Sequence, residues 1–335
     1  MRRLGKFLVR ALAVMVALVL VVVGVRVVNG WRYPSAEGSD PRAIASYDLD
    51  QEGMSIEHIT GDYLSGFHLV PDAVTRDGVV VTFGGSEGSP DFSRAVSLAE
   101  LGYEVYALFF FGQENQQAQL QDVPLEFFGE VTDRIEAGSA RPGPLTVIGS
   151  SKGAELALLL AEQYEQIDNV VLFAPTMHSY QGLVFGQEVP ASFTRAGEDV
   201  PFLSFRDASL GALAGQLSAM AFNYPISYLA TYESVVEGSD PDAIEAAALD
   251  PTAVEGGLLV FAGGDDRMWQ SATAAQQIQD LNPAAEVHVY PEAGHVFGGT
   301  GHAAGLALGG TEQANAEARE DSTRVLTETL TTWHS

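Results

Sequence analysis

The chain has no cysteine, which excludes disulfides, cysteine-ligated zinc, iron–sulfur clusters and a cysteine nucleophile at the outset. The same absence makes export easy to tolerate, since no thiol waits to be oxidised. Basic residues are scarce: 17 Lys and Arg stand against 44 Asp and Glu, a formal net charge of -27 over 335 residues. Arg2, Arg3, Lys6, Arg10 and Arg26 all fall in the first 30 positions, where there is no acid. The body from Trp31 onward therefore keeps 12 basic and 44 acidic residues, a net -32. A body that acidic repels phosphate backbones and anionic lipid heads, so no nucleic-acid partner and no polybasic membrane docking are expected. No internal repeat is visible. Apolar residues, by contrast, are plentiful at 46%. That rules out a disordered chain and suits one large α/β domain of about 300 residues.

The amino terminus is a basic head followed by Ala11 to Val25, an uncharged apolar run. Fifteen residues make only about 22 Å of helix, short of a bilayer core of about 30 Å. The deficit closes if Phe7 to Val28 forms one helix with Arg10 and Arg26 snorkelling to the two interfaces. The reading is thus a signal anchor, or a signal peptide cut near Val28-Asn29-Gly30, over residues 1–30. A linker follows over 31–44, carrying the polar Tyr33 to Pro41 stretch, and a single folded domain over 45–335. Basic residues ahead of the apolar run hold the head inside and send the body across the membrane. The expected location is extracytoplasmic, anchored by one transmembrane helix, or secreted after cleavage.

Within the body, Met54 to Thr60 and Tyr63 to Val70 alternate as an antiparallel pair around Gly61-Asp62. Short all-apolar runs follow at Val79 to Phe83, Val105 to Phe111, Leu145 to Ile148, Val170 to Phe173, Leu258 to Phe261 and Val287 to Tyr290. Runs of this kind suit parallel strands covered on both faces. Helical stretches alternate with them: Pro90 to Leu101 behind a Ser89 cap, Leu125 to Glu136, Ala154 to Tyr164, Ala272 to Leu281 and Glu312 to Thr332. The pattern predicts an α/β fold with a mostly parallel central sheet and helices on both faces. One stretch, about 178–251, breaks the rhythm with helical Leu210 to Phe222 and Ile226 to Val236 and no good buried strand. An insertion there sits over the carboxyl edge of the sheet and reads as a lid.

G-x-S-x-G occurs twice, around Ser86 and around Ser151. Its chemistry needs a sharp strand-to-helix turn that lifts the serine into the open. Ser151 has that context: Leu145 to Ile148 precedes it, a helix starts at Ala154, and glycine on both flanks relieves crowding. Ser86 lacks it, because Gly88, Ser89 and Pro90 delay the next helix. The Gly85 and Ser86 backbone instead fits half an oxyanion hole, with the Lys152 N–H as the other half. Lys152 and Glu155 read as structural support of the turn. A serine hydroxyl attacks nothing unaided, so a histidine oriented by a carboxylate is required. In this fold class the acid follows one late strand and the histidine the next. Asp266, in AGGDDRMWQS, and His295, in VYPEAGH, occupy those places. Asp266 is preferred to Asp265, which reads as a turn or capping residue. His288, His58 and His68 lie in strands, His178 opens the insertion and His334 sits at a frayed end. His295 and His302 lie seven residues apart in a Gly-rich loop with no carboxylate pattern, so no metal is expected, and no cofactor.

With FGGSEGS, PLEFFGEV, IGSSKGAELAL, AGGDDRMWQS and VYPEAGH in view, the body from about Gly78 onward resembles the C-terminal α/β-hydrolase domain of the acyl-CoA thioesterase and bile acid-CoA:amino acid N-acyltransferase family. GGTEQANAEA is similar to the family's closing segment. The resemblance implies an α/β-hydrolase fold, acyl transfer chemistry and a triad of Ser151, Asp266 and His295. Two departures stand out. Tyr33 to Asp77 is too short for the β-sandwich domain of the animal members, and an exported body is out of reach of cytosolic acyl-CoA. The family's conjugating enzymes use cysteine, so serine here implies hydrolysis by water through an acyl-enzyme. The expected substrate is a small-molecule acyl thioester or ester. The alternatives are an exported esterase or lipase-like hydrolase of envelope acyl compounds and a non-catalytic binding protein of the same fold.

Overall fold

The computed structural model describes residues 2–34, 39–184 and 189–335. Eight strands form the central sheet: β1 (Met54–Thr60), β2 (Ser65–Pro71), β3 (Val79–Phe83), β4 (Glu104–Phe109), β5 (Leu145–Ser150), β6 (Asn169–Phe173), β7 (Gly257–Gly263) and β8 (Glu286–Tyr290). They lie side by side in the order β1-β2-β4-β3-β5-β6-β7-β8. The β1–β2 and β2–β4 pairs are antiparallel and the others parallel. Parallel neighbours need crossovers, and helices supply them: α2 (Phe92–Glu100), α3 (Phe128–Gly138), α4 (Lys152–Ala161) and α8 (Ser271–Leu281), with α9 (Glu312–Trp333) closing the body.

The apolar runs are all-apolar because both faces are covered. Val79, Val81 and Phe83 of β3 enter the core on one side of the sheet, while Val80 enters the core on the other. In β5, Leu145 and Val147 face one way and Ile148 the other. β8 differs from the expectation of a two-faced core strand. It is the last strand of the sheet, it buries no residue fully, and Val289 is exposed, since among the described residues no strand lies beyond it. The helix after β3 also differs. It is entered through Asp91 in the left-handed region (φ 53°) rather than through a Ser89 cap, and Asp91 then pairs with Arg94. His334 is buried, not frayed. Its Nε2 lies 2.8 Å from Thr146 Oγ1 and its Nδ1 bonds the Asp77 carbonyl, which pins the end of α9 to the base of the sheet.

Between β6 and β7 the chain leaves the sheet and forms α5 (Leu210–Phe222), α6 (Leu229–Gly238) and α7 (Pro241–Ala246). A small core of their own, with Tyr180, Leu203, Tyr232, Val235 and Trp269, holds this insertion together. Within the stretch expected to form a lid, residues 185–188 lie outside the described residues, as do 35–38 of the expected linker. The amino-terminal helix α1 runs over Arg2–Arg32, and its Arg10–Arg32 portion is long and apolar enough to cross a membrane.

Candidate active site

The turn from β5 into α4 is tight, with Ser151 alone between the last residue of the strand and the first of the helix. Ser151 sits at φ 57°, ψ -117°, a conformation side chains rarely adopt. Its N–H donates to the Phe173 carbonyl (2.8 Å), which fixes the turn against β6. The flanking glycines are required by contact rather than by φ. A Cβ on Gly149 would lie 2.0 Å from the Gly153 carbonyl oxygen, and one on Gly153 would lie 2.1 Å from that of Gly84. The half-buried Ser151 hydroxyl is thereby presented at the carboxyl edge of the sheet.

Two loops from the same edge meet it. Beyond β7, Asp266 is buried and its carboxylate is surrounded by donors: Met268 N–H (2.7 Å) and Trp269 N–H (3.3 Å) on Oδ1, Ser271 Oγ (2.6 Å) on Oδ2. Beyond β8, His295 is buried, with Nδ1 2.8 Å from Asp266 Oδ2 and Nε2 2.9 Å from Ser151 Oγ. A carboxylate facing Nδ1 makes that nitrogen the donor, so Nε2 is left to accept a hydrogen bond from the Ser151 hydroxyl. Asp265 points elsewhere, pairing with Arg267 and accepting the Gly310 N–H. Asn315, fully buried on α9, organises the histidine loop. Its Oδ1 accepts the Gly294 N–H (2.8 Å), and its Nδ2 donates to the carbonyls of Gly298, Gly299 and Gly309. Sequence reasoning missed it. The available signal was a single amide among the apolar positions of α9.

The expected oxyanion donors divide. The Lys152 N–H belongs to the first turn of α4, where N–H groups have no intrahelical acceptor. Ser86 is exposed on the cleft wall. The Gly85 N–H, however, donates to Glu87 Oε1 (3.0 Å), which also accepts from Ser89 Oγ (2.6 Å). A carboxylate so placed occupies the Gly85 donor. Sequence reasoning did not single out Glu87.

Directly behind the serine, Lys152 and Glu155 form a fully buried ion pair (2.8 Å). Lys152 Nζ also donates to Ser192 Oγ and the Tyr180 carbonyl, and Glu155 accepts from Ser179 Oγ and the Tyr180 N–H. Burial pulls the ammonium below its usual range and pushes the carboxyl above its own, against their mutual attraction. The pair bolts α4 to the start of the insertion. In front of the serine lies a cleft of about 370 Å³ walled by Met268, Leu306 and Leu308. It shares Ser86, Met268 and Leu306 with a second cavity of about 420 Å³, lined by Leu183, Phe205, Tyr228 and Tyr232. Among the described residues no group of three or more His, Asp or Glu could hold a metal ion.

Strand order, a serine on the strand-to-helix turn, and an acid and a histidine after the last two strands define an α/β-hydrolase fold. A family model described as "BAAT / Acyl-CoA thioester hydrolase C terminal" matches residues 123–298, and the chain belongs to that family. Human acyl-coenzyme A thioesterase 6 is 25% identical over 257 residues, covering 74% of this chain and 55% of the relative. Acyl-coenzyme A amino acid N-acyltransferase 2 of Mus musculus is 27% identical over 259 residues, covering 73% and 55%. The chain thus spans about half the length of the curated relatives it matches. Among solved structures, an esterase from Pyrococcus furiosus superposes with a TM-score of 0.53 at 16% identity, covering 89% of this chain and 100% of its own, a likeness of fold.

Proposed function

We propose that the protein is a serine hydrolase of acyl thioesters or esters that works through a covalent acyl-enzyme. The observation that carries this reading is the unbroken line from Ser151 Oγ through the His295 ring to Asp266, with both links under 3 Å. His295 Nε2 takes the serine proton as Oγ attacks the acyl carbonyl. Asp266 holds the ring and stabilises the imidazolium, while the Lys152 N–H and the Gly85–Ser86 backbone receive the oxyanion, Glu87 Oε1 giving up the Gly85 N–H as they do so. His295 then protonates the departing thiolate or alkoxide. His295 next takes a proton from a water that attacks the acyl-serine carbonyl, the Oγ–acyl bond breaks, and the proton returns to Ser151 Oγ as the carboxylic acid leaves. The apolar cavity beside the cleft suits an acyl chain.

In this reading residues 1–30 anchor the chain, 31–44 link, and 45–335 form the hydrolase unit with 178–251 as its lid. The basic head keeps the amino terminus inside and the catalytic unit outside. That placement favours a second, narrower reading: an ester or thioester of the cell envelope in place of cytosolic acyl-CoA. A fluorophosphonate probe is expected to label the wild-type chain and not Ser151→Ala. A folded wild-type chain that stays unlabelled refutes the proposal. Turnover of acyl-CoA and p-nitrophenyl esters by the same preparation then separates the two readings, with the faster substrate deciding.

A further inference from the structure

The helix α5 is out of place on a water-soluble surface. Its sequence, LGALAGQLSAMAF, carries no charge and none of its residues is buried. Leu210 is 85% exposed, Leu217 66% and Met220 57%. Surface helices of soluble domains turn a charged face outward, and this one has none. At 13 residues it is about 20 Å long, too short to cross a bilayer core of about 30 Å.

What lies beside it is the apolar helix α1. Arg26 Nη1 donates to the carbonyls of Met220 (2.9 Å) and Ala221 (2.8 Å), and Asn29 Nδ2 donates to that of Phe222 (2.8 Å). The unsatisfied carboxyl end of α5 is therefore capped by side chains of α1, at the level where the uncharged run Ala11 to Val25 has just ended. Aromatic rings cluster at that level: Trp31 is 81% exposed, Tyr224 is 47% exposed, and Tyr33 packs on Tyr224. Exposed Trp and Tyr at the end of an apolar helix mark the depth of lipid headgroups.

The same junction reaches the cleft. Tyr33 meets the His302 ring edge-on at 5.1 Å. His302 opens a short hairpin, His302–Ala303 and Leu306–Ala307, which is clasped from the α5 side by Ile226 through the Gly305 carbonyl and the Ala307 N–H. Ala303, Ala304 and Leu306 of this hairpin form the rim of the Ser151 cleft. One hairpin thus stands between the end of the membrane helix and the nucleophile.

We propose that α5 lies in the interface of the same leaflet in which α1 ends, so that the Ser151 cleft opens onto the bilayer and takes its acyl group from a membrane-resident lipid ester or thioester. The proposal rests on the reading of α1 as a membrane anchor. Contact is apolar and not ionic, since a body of net -32 gains nothing from anionic headgroups.

The test uses the full chain in phosphatidylcholine vesicles. Because the chain has no cysteine, single Cys substitutions at Leu217, Val19 and Arg141 each carry one NBD fluorophore; Arg141 is exposed at the opposite edge of the sheet. Probes at Leu217 and Val19 are expected to be quenched by nitroxide-labelled lipid and shielded from aqueous iodide, with the reverse at Arg141. A Leu217 probe that behaves like Arg141 while Val19 stays lipid-quenched overturns this inference and leaves the anchor standing. A Val19 probe that is itself iodide-accessible overturns the anchor reading and this inference with it. Replacing Leu210 and Leu217 together by Glu is expected to lower the ratio of vesicle-resident long-chain ester hydrolysis to soluble short-chain ester hydrolysis about tenfold or more. An unchanged ratio refutes the route from the leaflet.

Discussion

Asp266→Asn tests the proposed mechanism most sharply, because the structure dictates how the amide must sit. All four groups on the carboxylate are donors: the amides of Met268 and Trp269 on Oδ1, and the Ser271 hydroxyl and His295 Nδ1 on Oδ2. An asparagine has one acceptor and one donor end. Turning the NH2 toward the two backbone amides would bury facing donors, so the carbonyl takes that side. The NH2 then faces Ser271, which can still accept, and His295 Nδ1, which must become an acceptor. The imidazole proton moves to Nε2, against the Ser151 hydroxyl, and His295 can no longer take the serine proton. The backbone and packing are undisturbed, so the fold survives with a thermal midpoint near the wild-type value. The equivalent exchange in a serine protease triad costs about 10⁴ in rate, and the same tautomer argument gives the same order here. That corresponds to about 5 kcal/mol of transition-state stabilisation at 1.36 kcal/mol per tenfold. The assay is kcat/KM on a short p-nitrophenyl ester. Asp265→Asn is the control: its partners are Arg267 and the Gly310 N–H, and it is expected to stay within about threefold of wild type. A folded Asp266→Asn protein retaining kcat/KM within tenfold of wild type refutes the assigned role of Asp266.

Three further outcomes follow from the same contacts. Lys152→Met leaves Glu155 without its cation and is expected to destabilise by about 3–5 kcal/mol in urea unfolding, while the double change with Glu155→Leu recovers part of that loss. Because burial raises the Glu155 carboxyl above 4.5, the single variant's loss relative to wild type should be smallest below pH 4.5 and grow as pH rises toward neutrality. Gly153→Ala puts a methyl carbon 2.1 Å from the Gly84 carbonyl oxygen and should cost about 1–3 kcal/mol by thermal unfolding, together with most of the esterase activity. Full activity would show that the turn can relax. Burial lowers the His334 imidazole below 6.5 against the pull of the Asp77 carbonyl, so the folded state binds this proton less readily than the unfolded chain. Stability linked to it is present above pH 6.5 and lost as pH falls through the depressed value, and His334→Gln should flatten unfolding free energy against pH in that window.

Local information was enough for the body's elements. β1, β3 and α5 coincide with the runs read from sequence, and the other six strands lie within two residues of theirs, because an apolar or alternating run between turn residues has few other uses in water. Chain order and the distance from a strand end also allowed Ser151, Asp266 and His295 to be nominated together, and the fold brings those three side chains within hydrogen-bond distance. What sequence order could not convey was how distant parts meet. Asn315 gathers the histidine loop and His334 docks under β5, each through contacts made only once the sheet is assembled. β8 ends the sheet, so its apolar run is half covered, a fact decided by strand order and not by composition. The largest consequence is the seating of α5 against α1. Each helix is apolar on its own evidence, but only folding brings the Arg26 guanidinium to the carbonyls of Met220 and Ala221, 194 and 195 positions along the chain. Hydrophobic periodicity is a property of a segment, whereas a hydrogen bond across such a separation is a property of the whole packed chain.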